Sequence, residues 1–502
     1  MLVGSRLMIV PAPEHSVILR PAPPGEAIRD VGAAVCDALR FPLVGEPLEA
    51  LVRKGGRATI VVEPPALPIP TAQNDPRRAA IGAVVAELER VGVPVQNQTL
   101  LVAGGLGRRL AERELEQLGV VSPEFARRFR GRVAIHDAED PELVEIGQSG
   151  RVPLFVNPLL LETDMIVVVT AAETVLHGGP AALLAASGRE SLRAAGAYSL
   201  LETSASQGWQ LGLALERELS RRVPIIGASL TFNHPRLLGA ARGYPYEQEA
   251  LDRLADSPLR RPFGLLPSWA RDQIIGSVRR ELSIAAAYGG PPSVAHAEAL
   301  LRGVETRSAR LDGQLDAIVI GIPRTTPFLP RERPNPLLAA YLALGLALRM
   351  WRDGFPLADG GTAILLHRFH RRFAHPTQQP YRMFFQATTR LGREPVELIE
   401  AEQAATADPR AIEAYRQRRS CHPLLPFADW SACAPAVGRL GAVIIAGCRD
   451  SVAARQLGFV PTQNVATALQ MADARAGGSA RVGFLLSPPY FPLRVSSEVS
   501  SE

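Results

Sequence analysis

Residues 101–115, LVAGGLGRRLAEREL, pass from an apolar run through three glycines into a charged stretch with helical spacing. A strand that empties directly into a helix is half of a βαβ unit, the connection that parallel strands require. Apolar runs of strand length recur on both sides of it: ATIVVE (58–63), TLLVAGG (99–105), RVAIHD (132–137), MIVVVTA (165–171), PIIGASL (224–230), LDAIVIGI (315–322), GTAILLH (361–367), AVIIAG (442–447) and RVGFLLS (481–487). Helical patterns separate them, notably at 77–92 and 335–354. The alternation predicts an α/β fold of two α/β domains with mostly parallel sheets and a cleft between them. The polar stretch GVETRSARLDGQ (303–314) is the expected boundary, dividing 1–302 from 315–502.

Composition narrows the function. Apolar residues make up 47 % of the 502 and charged ones 21 %, so the chain has the makings of a sizeable packed core. A net charge of +5 without long blocks of one sign does not point to nucleic acid. The longest apolar segment, LLAAYLALGLAL at 337–348, is too short for a membrane span, and the start of the chain does not read as an export signal. Cys36, Cys421, Cys433 and Cys448 follow no zinc or disulfide spacing, which fits a reducing cytoplasm. Of 55 basic residues all but Lys54 are arginine. Arginine stays protonated, so covalent amine chemistry is confined to Lys54, in the polar turn VRKGGR.

Ligands of parallel sheets bind beyond the carboxyl ends of the strands. There Gly105 and Gly107, with Arg108, could cradle a phosphate on backbone N–H groups. The stretch lacks the third small residue of a dinucleotide fingerprint and the Lys-Ser/Thr of a Walker loop, so a tight strand-to-helix turn is the competing reading. HRFHRRFAHP places His367, His370 and His375 within ten residues, as candidate acid–base or metal-binding groups. Interleaved arginines oppose a cation, and a basic surface loop is the alternative. Arg324 and Asn335 flank a proline-rich strand-to-helix loop where an arginine fork could hold a carboxylate or phosphate. His177 beside Gly178 and Gly179 could contact a nucleotide phosphate, and the pair His136–Asp137 reads as a loop tie or helix cap. Protease, hydrolase and EF-hand spacings are absent.

Taken in order, these loops resemble the nickel-dependent lactate racemase family, whose members bind a nickel-pincer nucleotide between two α/β domains. DALRFPLVGEPLEALVRKGGRATIVV, LVAGGLGRRLAEREL, VAIHDAEDPELVEIGQSGRVPLFVNPLLLETDMIVVVT with Asn157 and Asp164, and the C-terminal AVIIAGCRDSVAARQLGFVPTQNVATALQMADARAGGSARVGFLLSPPYFP carry the likeness. Residues 231–310 are longer and less recognisable than in a typical member. The resemblance implies hydride transfer between substrate and cofactor, assisted by two histidines. Those positions fall on Gly107 and Ala171, the substrate-gripping arginine on Leu67, and the tethering lysine on Ala181. The later nickel histidine should lie within 194–198, where there is none.

The resemblance with these losses implies a divergent member that holds a small anionic ligand, 2-hydroxy-acid or nucleotide-like, in the cleft, without covalent attachment of the pincer. A racemase or epimerase of 2-hydroxy acids with shifted motifs and a non-catalytic interaction protein are the other two readings. No feature of the sequence sets an oligomeric state.

Overall fold

The computed structural model describes residues 1–69, 75–111, 114–115, 120–323, 335–371, 373, 375–388 and 398–496. Two six-stranded sheets organise the chain. Their strands, in chain order, are β1 (Ser16–Leu19), β2 (Ala58–Val62), β3 (Gln98–Val102), β4 (Arg132–Ile135), β5 (Met165–Ala171), β6 (Ile225–Phe232), β7 (Ile284–Gly290), β8 (Leu315–Gly321), β9 (Leu357–Leu366), β10 (Ala442–Ala446), β11 (Val460–Thr462) and β12 (Val482–Leu485). Each of the nine apolar runs forms one of them, and the fold is α/β with mostly parallel sheets.

The first sheet has the order β7-β6-β5-β2-β3-β4, parallel throughout except for β7. Its central strands β2 and β5 are buried along their whole length. That is why they read as unbroken apolar runs rather than as alternating ones. From β2 the chain builds outward through β3 and β4 on one side and through β5 and β6 on the other. The order therefore reverses between β2 and β5. The second sheet, β11-β10-β9-β8-β12-β1, is wholly parallel and reverses between β8 and β12.

The sheets divide the chain differently from the expected 1–302 and 315–502. β1 pairs with β12, so the amino-terminal residues complete the second sheet. The stretch 303–314 is regular: the helix Pro292–Arg307 runs into it, and Ala309–Asp312 then pairs with Leu493–Ser496. Its polar residues mark a helix end and an alternating strand rather than a linker.

Local signals set the helix starts. Asp75 caps Pro76–Arg90, accepting from the Arg77 N–H, with proline in the first turn. Asn335 caps Pro336–Ala340 through the Leu338 N–H (3.0 Å). The expected helix 335–354 widens into a π-helical turn at Tyr341–Leu346 and stops at Arg349. There the fully buried Arg349 guanidinium donates to carbonyls on both sides of the molecule, Ala197 and Tyr198 beside Gly345 and Ala432. One apolar cluster crosses the same seam: Leu67, Leu106, Ala172 and Val175 from the first sheet's loops, with Trp209 of the helix Gln207–Ser220, join the helices under the second sheet. Among the described residues no helix is long and apolar enough to cross a membrane.

Candidate functional site

The first sheet's reversal point opens a pocket at the carboxyl ends of β2 and β5, the place where open α/β sheets bind ligands. Glu63, Arg77, Thr170, Glu173 and His177 supply its polar lining. Its free volume is about 20 Å³, room for one or two waters and not for a nucleotide.

Glu63 follows β2 directly, and its Oε2 accepts the Gly178 N–H at 2.6 Å. Burial, reinforced by the neighbouring Glu173 carboxylate and opposed by the Gly178 bond, pushes the Glu63 carboxyl up to about 8. Glu173 sits two residues beyond β5 and is held from three directions. Its Oε2 accepts from the Ala66 and Leu67 N–H groups (2.9 and 3.3 Å), and its Oε1 meets Arg77 Nη1 at 3.3 Å. Arg77 also pairs with the buried Asp75 at 2.8 Å. His177 Nδ1 lies 2.9 Å from Thr174 Oγ1. Burial, together with the proximity of His296 and Arg349, lowers its imidazole to about 4. At neutral pH the pocket thus presents a protonated carboxyl and a neutral imidazole beside a paired carboxylate and guanidinium, a set able to give or take a proton from a small polar molecule.

The glycine pair has a structural explanation. Gly178 and Gly179 have φ of +94° and +55°, and a Cβ on either would stand 2.3 Å from the ring or Cβ of His296. His296 is itself locked, Nε2 donating to the Thr174 carbonyl at 3.0 Å. The Gly178 and Gly179 N–H groups are committed to Glu63 and to Thr170 Oγ1 (3.0 Å). The turn shapes the pocket, and its amides are not free for an anion.

The stretch LVAGGLGRRL is likewise occupied. The Gly105 N–H donates to the Ala185 carbonyl and the Gly107 N–H to the Gly104 carbonyl (3.1 and 3.0 Å). Arg108 forks onto Glu114 at 2.7 and 3.0 Å, and Arg109 pairs with Asp137 at 3.0 Å. In this structure it is a turn after β3 whose amides and guanidinium groups are already bonded. His136 is buried between Asn157 and the Ser187 carbonyl, and ties loops together.

The three histidines after β9 do not converge. His367 is half-buried, its Nδ1 accepting the Phe369 N–H at 3.1 Å. His370 is exposed, and His375 caps the short helix Pro376–Gln378. Among the described residues no three His, Cys, Asp or Glu side chains gather as a metal ion would require. Asn335 serves as a helix cap, and Arg324 lies outside the described residues. Sequence reasoning missed Glu63, Arg77 and Glu173. The available signal was two carboxylates placed at the ends of two apolar runs that turn out to be adjacent.

A family model described as the lactate racemase N-terminal domain matches residues 4–179. Among solved structures the chain is similar to the lactate racemase apoprotein from Thermoanaerobacterium thermosaccharolyticum, with a TM-score of 0.60 and 13 % identity over 98 % of both chains. A protein from Thermotoga maritima matches with a TM-score of 0.49 and 12 % identity over 94 % of this chain and 100 % of that one. No curated protein matches. Residues 4–179 thus match the lactate racemase N-terminal domain, and the chain shares the α/β fold of the lactate racemase apoprotein.

Proposed function

We propose that this chain is a lactate-racemase-like protein that works without a tethered nickel-pincer nucleotide and binds a small anionic molecule at the carboxyl ends of its parallel strands. The observation that carries the reading is the position of the single lysine. Lys54 is exposed in the turn ahead of β2, packed over Gly92, while the pocket lies at the other end of that strand. Five strand residues put roughly 16 Å between the two ends. Ala181, where the resemblance puts the tether, is 1 % exposed inside the helix Pro180–Ala185. Leu67 and Ala171, at the positions of the substrate arginine and the second histidine, are likewise buried. The residues present do not fit a covalently held pincer.

Intact mass and metal analysis of the purified chain test this directly. The expected result is the bare polypeptide mass, no stoichiometric nickel and no racemisation of lactate. An added cofactor mass with one nickel per chain would restore the reading as an active 2-hydroxy-acid racemase. A chain that binds no small oxyanion at all would favour a non-catalytic interaction protein.

A further inference from the structure

Between β6 and β7 the chain makes an excursion that the pocket does not use. Arg236–Leu237 pairs antiparallel with Arg280–Glu281, and the Leu238 N–H donates to the Arg279 carbonyl at 2.9 Å, so the excursion is closed at its base. Three helices fill it, Gln248–Asp256, Arg260–Leu265 and Ser268–Ser277. The buried Arg271 sets the orientation of the last one. Its Nη1 donates to the Gly264 carbonyl at 3.3 Å and to that of Leu266, which turns this side of the helix inward. Trp269 stands two positions earlier, about 200° around the helix, and is accordingly 69 % exposed.

Trp269 has company. Leu259 is 72 % and Leu265 88 % exposed, and Ile274 is exposed as well, so the stretch 259–274 turns four large apolar side chains to water. Scattered singly they would need no explanation; gathered in one short stretch they mark a contact surface. The charge around them is of one sign. Between Asp256 and Glu281 the chain carries Arg260, Arg261, Arg271, Arg279 and Arg280 against Asp272 alone, and Arg261 and Arg279 are exposed. Such a face repels a second copy of itself and attracts an anionic surface. Side chains this free of their neighbours are tips rather than the walls of a groove. A folded partner would need a hollow for each tip, whereas a lipid layer accepts them in any arrangement. Tryptophan and leucine enter the boundary between headgroups and acyl chains, and arginine stays with the anionic headgroups.

We propose that the stretch 259–279 is a docking surface for a membrane of anionic phospholipid, with Leu265 and Trp269 entering the interface and Arg261 and Arg279 meeting the headgroup phosphates. Guanidinium forks match phosphate oxygens bidentately. The chain is then held at the surface, its apolar tips reaching no deeper than the headgroup boundary. The docking surface does not draw on the small-anion reading of the strand ends, so either can fail alone.

Co-sedimentation of the full chain with vesicles tests the surface, using phosphatidylcholine alone and phosphatidylcholine mixed with phosphatidylglycerol. The chain binds the anionic vesicles at least tenfold more tightly than the neutral ones, and L265S/W269S and R261Q/R279Q each lose at least tenfold of that binding. All four side chains are exposed, so both variants keep the wild-type melting temperature. R217Q/R221Q, at the end of the helix Gln207–Ser220, is the charge control. Tryptophan emission is the second readout, because Trp209 and Trp430 are buried and Trp351 is half-buried: anionic vesicles shift it to the blue, and W269F loses the shift. The docking surface is overturned by any of three results: no binding to anionic vesicles, binding that both variants leave unchanged or that R217Q/R221Q weakens as much, or an emission that does not move. Self-association that L265S/W269S dissolves, without vesicle binding, overturns it in favour of a second copy of the chain. Tighter binding to polyglutamate than to vesicles overturns it in favour of an acidic protein.

Discussion

Replacing Glu63 with glutamine should remove a pH dependence of stability that the wild-type chain carries between pH 6.5 and 8. The carboxyl titrates at about 8 in the folded protein against an ordinary 4.5, so over that interval the folded state holds a proton that the unfolded state has released. Stability from such a group is fully present below 4.5 and falls as pH rises toward 8. Each pH unit inside the interval is worth about 1.4 kcal/mol, so the step from 6.5 to 8 removes about 2 kcal/mol. Glutamine keeps the acceptor for the Gly178 N–H and cannot ionise. The lower limit of 6.5 is set by His136, His177, His234 and His296, which burial holds at about 4, 4, 3 and 4. Those groups stabilise above their unfolded value of 6.5 and lose that stabilisation as pH falls, the opposite sign. The amino terminus, lowered by burial to about 6, and Asp429, raised by burial to about 7, also titrate nearby, but equally in both proteins. Urea unfolding of wild type and E63Q at closely spaced pH values gives the difference directly. Infrared absorption of a protonated carboxyl at pH 7, lost in E63Q, is the independent readout. A difference that stays flat from 6.5 to 8.5 would refute the protonated Glu63, and with it the acid–base reading of the pocket.

Gly179→Ala forces a Cβ into His296 at a positive φ and should cost about 3 kcal/mol or more, seen as a lowered unfolding midpoint. Arg77→Met leaves Asp75 and Glu173 buried without their cation, at 2 % and 6 % exposure, and should destabilise by about 3–5 kcal/mol in the same assay. Lys54→Ala should change stability by less than about 0.5 kcal/mol and lower the intact mass only by the substitution itself, because the lysine carries nothing.

The sheets were legible because parallel central strands are buried on both faces and therefore appear as continuous apolar runs. β1, SVIL, is only four residues long, and β7, IAAAYGG, is built from small residues with little strand preference, so neither stood out. The hairpin Val144–Ser149 with Val152–Val156 was hidden for a related reason, a one-residue bulge at Glu145–Gly147 that breaks the alternation. The pocket was illegible because its residues are recognisable only once β2 and β5 are neighbours. Glu63 and Glu173 are 110 positions apart and share no motif. The glycines misled in a specific way: positive φ beside a histidine and positive φ beside a phosphate demand the same residue.

The apolar seam constrains how any ligand enters. The resemblance expects polar catalytic groups at positions 67, 107 and 171, facing a cleft that admits a nucleotide. Here Leu67, Leu106, Ala172, Val175, Leu200, Leu201 and Trp209 pack into one core with the helices beneath the second sheet. The Leu200 N–H is fixed to the Arg349 carbonyl at 2.8 Å and the His422 N–H to the Leu106 carbonyl at 3.0 Å. Burying a large apolar side chain is worth about 2 kcal/mol, so separating the five largest of these from their partners would cost on the order of 10 kcal/mol before the broken hydrogen bonds are counted. That is comparable to the whole stability of an ordinary domain. Opening along this seam is therefore not a route for small molecules, and the strand-end Glu63 pocket on the first sheet lies outside it.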